Sequence, residues 1–121
     1  MSETEFEDVN TILAYKLSAE FNKINRDNVD YHLGKQLSTP NFDVHSAKSM
    51  WGLWDPSTRT ISMNIDLIRN YEWNAVVYVL KHEMAHMIVH EIFNMGDCKS
   101  HGNAFERACK VVDCEFSSCA F

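Results

Sequence analysis

The sequence predicts a small single-domain α+β protein, and three observations carry that reading. A long apolar helix has an HExxH signature, His82-Glu83-Met84-Ala85-His86, at its centre. A turn-punctuated pair of alternating runs precedes it, and amphipathic helical stripes stand at both ends of the chain. At 121 residues the chain is long enough to bury one core without staples. The expected order is an N-terminal helix, a short antiparallel sheet with a hairpin, the HExxH helix and a C-terminal helix, all in one domain over residues 1–121.

The first element follows from Phe6, Val9, Leu13, Leu17, Phe21 and Ile24, which recur at steps of three and four. This stripe predicts an amphipathic scaffold helix from about Thr4 to Asn25. After the polar break Asn25–Asn28, the residues Val29, Tyr31, Leu33 and Leu37 alternate with polar ones, which predicts a half-buried strand with His32 on its solvent face. Asn41 to Lys48 then reads as a polar connection carrying a surface His45.

Met50 to Trp54, the turn Asp55-Pro56-Ser57-Thr58, and Arg59 to Asn64 spell a β-hairpin. Asp and Pro at successive turn positions suit a type I turn. Gly52 between Trp51 and Leu53-Trp54 points to a close backbone approach or a bulge. Asp66 to Asn70 reads as a short helical turn, and the main helix runs from about Glu72 to Phe93, stopped by Asn94 and Gly96. Ser100 is a suitable N-cap for a last helix with Phe105, Ala108, Cys109 and Val112 on one side.

The chemistry lies in the HExxH segment. Residues four apart share a helix face about 6 Å apart along the axis, so His82 and His86 can offer imidazole nitrogens to one ion. Zn²⁺ takes such ligands at about 2.0–2.1 Å in a tetrahedron. Glu83, about 100° round the helix, is placed to hydrogen-bond a water held by the metal. The flanking Val76, Val79, Leu80, Met84, Ile88 and Ile92 make the helix largely buried, where unsatisfied imidazoles and a carboxylate would be costly. The alternative reading is that these polar groups are solvated or internally paired.

A catalytic zinc needs a third protein ligand and an open position. His90 continues the four-residue step but stands about 12 Å from His82 along a straight helix, too far to share the ion. His101 is the better third ligand, because the loop after Gly96 can return the chain over the two histidines and Gly102 permits close packing. Glu106, on the same last helix, is the alternative.

These residues together resemble the SprT-like zinc metallopeptidases, the group that includes the Spartan-related proteases. The resemblance rests on the hairpin with Gly52, the Ile61-Ser62-Met63-Asn64 strand, the HEMAH helix and His101-Gly102 followed by Phe105, within residues 50 to 112. It implies a zincin-like fold, one Zn²⁺ per chain on His82, His86 and His101, and Glu83 as catalytic general base. The implied function is peptide-bond hydrolysis, as a probable endopeptidase, through a zinc-bound water activated by Glu83, with a protein or peptide as substrate. The alternative is a non-catalytic zinc-containing module that recruits a protein or nucleic-acid partner. Position 92 is Ile92, so the metzincin arrangement of a third histidine six residues after the second is absent.

Composition narrows the partners. A net charge of −6 argues against a free-standing nucleic-acid binder, since phosphate contacts need a basic surface; nucleic acid remains only an implication of the resemblance. The acidic start carries no apolar signal core, and no stretch is apolar for long enough to span a bilayer. A cytoplasmic, intracellular protein is therefore expected, with nucleoid or nuclear association left open and no membrane partner. The four cysteines, Cys98, Cys109, Cys114 and Cys119, include no CxxC pair and read as thiols of a reducing compartment, the alternative being a disulfide or a weak second metal site among them.

Overall fold

The computed structural model describes residues 3–46, 50–95 and 102–114, with side chains from Asn10 onward. Helix α1 (Glu3–Ile24) buries Leu17, Phe21 and Ile24 at the spacing that predicts it. It runs on through a π-helical turn, Asn25–Asp30, into the single turn α2 (Tyr31–Leu33), which ends at Gly34 in the left-handed region with φ 65°. Strands β1 (Asn41–His45), β2 (Gly52–Asp55) and β3 (Thr60–Asn64) follow, then α3 (Ile65–Asn70) and α4 (Trp73–Met87). Helix α4 continues as a π-helical segment, Ile88–Ile92, and α5 (Asn103–Val111) closes the described chain.

The strand expected over Val29–Leu37 does not form. Tyr31 is 80% exposed while Val29 and Leu37 are buried and Leu33 is partly buried. A strand would turn all four to one face, so the operative spacing is the four-residue step from Val29 to Leu33. The loop beyond is fixed by Asn25, whose buried side chain donates to the Leu37 carbonyl at 2.7 Å and accepts from the Leu37 N–H at 2.9 Å. One amide thereby satisfies both backbone groups of a chain segment that has no ladder.

The supposed connection after Asn41 is instead β1, and its pairing makes the sheet mixed, where an antiparallel one was expected. The strand order is β1-β3-β2, with β1 parallel and β2 antiparallel to β3. In β1, Phe42 and Val44 are half-buried between exposed Asn41 and Asp43, an alternation masked by the polar composition. His45, read as a surface residue, is half-buried at the strand end.

The hairpin is as expected. Asp55 Oδ1 accepts from the Ser57 N–H at 2.9 Å and its hydroxyl at 2.7 Å, closing the turn with a side-chain acceptor. These bonds hold the Asp55 carboxyl below its usual range. Trp54, Ile61 and Met63 of the sheet share one buried core with Leu80 and Met84 of α4, Phe105 of α5 and Leu17 and Phe21 of α1. Asn64 caps α3 by accepting from the Asp66 N–H at 2.8 Å. No described helix is long and apolar enough to cross a membrane.

Candidate metal centre

Helix α4 is largely apolar and is packed from several sides at once, by α1, α3, β2 and α5. Val76, Val79, Leu80, Met84, Ala85 and Met87 are buried with it. Its start is tied to α1 by Trp73, whose indole N–H donates to Glu20 at 3.1 Å, with Lys16 Nζ 4.6 Å from the indole ring centroid. Within this apolar rod the three polar residues of the signature are also buried: His82 is 1% exposed, Glu83 4% and His86 9%.

The two imidazoles stand on one face, ring centroids 5.1 Å apart and planes at 71°. Phe105 of α5 packs on both, 4.9 Å from the His82 ring and 4.5 Å from that of His86. Helix α5 therefore lies over the histidine pair, the approach that a third ligand from its start would require. His101, expected to be that ligand, lies outside the described residues, as does the proposed cap Ser100. Among the described residues no group of three or more His, Cys, Asp or Glu side chains gathers to hold a metal. Glu106, the alternative ligand, is half-buried on α5.

Two buried imidazoles one helical turn apart, with a carboxylate beside them, fit a divalent ion of zinc's character. That set is costly to bury for packing alone. Glu83 shows the cost directly. Loss of solvent pushes its carboxyl up to about 7, against the opposing pull of the Trp54 backbone N–H that donates to it.

The hairpin brings that N–H into place. Strand β2 is an edge of the sheet, paired with β3 on one side only. The face of β2 that carries Gly52 lies on α4, where a Cβ built on Gly52 would stand 2.7 Å from Val79 Cγ1 and 3.2 Å from Glu83 Cγ. The glycine flanked by Trp51 and Leu53 is thus the close approach its setting predicts, and the surface approached belongs to Glu83.

Two features of the site were not read from the sequence. Phe105 was recognisable as a core residue, but its place against the imidazoles needs the fold. Arg59, at the hairpin turn with φ 49°, reaches Glu91 beyond the signature, with Nε at 2.8 Å and Nη2 at 2.7 Å from the two carboxylate oxygens, and Nη2 also donates to the Ser38 carbonyl at 3.1 Å. This fork ties the turn to the π-helical end of the HExxH helix. His90, one residue earlier, is half-buried, and two helical turns separate it from His82.

The SprT-like family model matches residues 14–120. Among solved structures, the crystal structure of the metallopeptidase zymogen of Methanocaldococcus jannaschii jannalysin is similar, with a TM-score of 0.54 at 18% identity over 78% of each chain. At that identity the likeness is one of fold, and the fold shared is that of a metallopeptidase. No curated protein matches the chain. With a match that spans most of its length, and with the hairpin, HExxH helix and α5 arranged as described, the chain belongs to the SprT-like family.

Proposed function

We propose that this chain is a zinc-dependent metallopeptidase, with His82, His86 and His101 holding one Zn²⁺ and Glu83 serving as general base. The observation that carries the reading is Glu83 itself, a buried carboxylate flanked in sequence by two buried imidazoles and closely approached by Gly52 of β2. A zinc ion there would supply Lewis acidity, polarising a water and a peptide carbonyl.

Glu83 accepts the proton of the attacking water and returns it to the leaving nitrogen. Its raised pKa suits a group that must both take and give a proton near neutrality. The Trp54 N–H orients the carboxylate while it does so. An extended peptide can add to the edge of β2 by main-chain pairing, which would align its scissile bond along α4. The substrate is accordingly a protein or peptide chain held in extended form.

The test is Glu83→Gln. The variant keeps shape and hydrogen bonding but cannot take a proton, so it should retain zinc by elemental analysis and lose at least about 100-fold in cleavage of an unstructured protein substrate. Parent-like cleavage by a zinc-loaded Glu83→Gln protein would sink the proposal.

A further inference from the structure

Helix α5 ends in a motif that places two cysteines against each other. The Cys114 N–H donates to the Cys109 carbonyl at 2.8 Å, and the Asp113 N–H to the Lys110 carbonyl at 3.4 Å, with Asp113 in the left-handed region at φ 58°. This nested pair of bonds is a Schellman motif, in which the side chains of the residues joined by the outer bond come into contact. Here those residues are Cys109 and Cys114. Both are buried thiols. The 2.8 Å backbone bond between the two residues keeps their Cα atoms within the roughly 4.4–6.8 Å that a disulfide spans.

We infer that Cys109 and Cys114 form a modification site, a dithiol that closes to an intramolecular disulfide by exchange with a low-molecular-weight disulfide. Cys109 is fully buried, whereas Cys114 is 7% exposed, so Cys114 is the thiol an oxidant reaches first. Its thiolate attacks one sulfur of the reagent RSSR, forming a mixed disulfide and releasing RS⁻. Cys109 then gives up its proton and attacks the Cys114 sulfur, expelling the second RS⁻. Two cysteine S–H bonds are lost and one S–S bond is made. The reagent takes the two electrons and both protons to leave as two RSH.

The Cys109 thiol is held protonated, its pKa raised first by the hydrogen bond with Cys114, then by burial and by the charges of Cys114 and Glu106. Closure is consequently slow and selective for the neighbouring sulfur, since a stray electrophile meets little thiolate. The staple would fix the end of the helix whose Phe105, one turn before Cys109, packs on His82 and His86.

The experiment uses the full chain carrying Cys98→Ser and Cys119→Ser, which leaves only this pair. The folded protein is incubated with excess oxidised glutathione, remaining thiols are blocked, and peptides are mapped by mass spectrometry. The expected product is a linked Cys109–Cys114 peptide lighter by two hydrogens, formed with the melting temperature unchanged or raised. Adding Cys114→Ser should abolish the link and leave at most a glutathione adduct. The inference is overturned if the folded pair stays reduced under conditions that oxidise the same chain in urea, or if closure lowers the melting temperature.

Discussion

Gly52 and Glu83 occupy each other's space: where a Cβ on Gly52 would stand, Glu83 Cγ lies 3.2 Å away and its Oε2 3.4 Å away, with Val79 Cγ1 at 2.7 Å. Sheet and helix meet at this point with no room for a side chain. Gly52→Ala must push a stiff, β-branched valine or shift the strand. The expected cost is about 1–3 kcal/mol in denaturant unfolding, from overpacking. Proteolytic activity should fall further than stability alone accounts for, because the strand that shifts also carries the Trp54 N–H. Comparing kcat at saturating substrate with the unfolding midpoint separates the two effects.

Phe105 is buried against both imidazoles. Phe105→Ala should destabilise the fold by about 3–5 kcal/mol, as for any fully buried phenylalanine. Phe105→Leu retains most of the packing and is the sharper test. It should fold, with a smaller loss, and bind zinc more weakly than the parent in a chelator competition, because the rings lose the surface that orients them.

Asn25 joins two elements through one amide. Asn25→Ala leaves the N–H and C=O of Leu37 without their partners in a buried place, at about 1–3 kcal/mol for each such group. Asn25→Asp keeps the acceptor for the Leu37 N–H but turns a second oxygen toward the Leu37 carbonyl, so it should rescue little. Urea denaturation of the two variants would show this, and an aspartate variant as stable as the parent would contradict the two-bond reading.

Arg59 and Glu91 form a two-pronged pair whose side chains are 36% and 23% exposed. The fork geometry favours a real coupling, and the exposure limits it. A double-mutant cycle with Arg59→Ala and Glu91→Ala should give a coupling energy of about 1 kcal/mol, reduced in high salt. Alanine suits the cycle because position 59 has φ 49° in parent and variant alike, so the backbone cost cancels.

The placement of the HExxH residues was legible in the sequence because it depends on a helix and its periodicity alone. Spacing four along α4 puts His82 and His86 on one face whatever surrounds them. The stripe of α1, the hairpin with its Asp-Pro turn and the boundaries of α4 were readable for the same reason, since each rests on contacts within a few residues. The stretch from Val29 to Leu37 failed because alternation and a four-residue step place Val29, Leu33 and Leu37 identically. Only the exposure of Tyr31 distinguishes them, and exposure is set by what packs above.

The sequence by itself determined which residues could bind a metal and which helix would present them. The tertiary structure decided what surrounds those residues. It set Gly52 of β2 on Glu83, laid Phe105 across the imidazoles, joined Arg59 to Glu91 and paired β1 in parallel with β3. Each of these is a contact between segments far apart in the chain, and it exists only once the core has closed. Local periodicity can name a face, but what covers that face is decided by the fold.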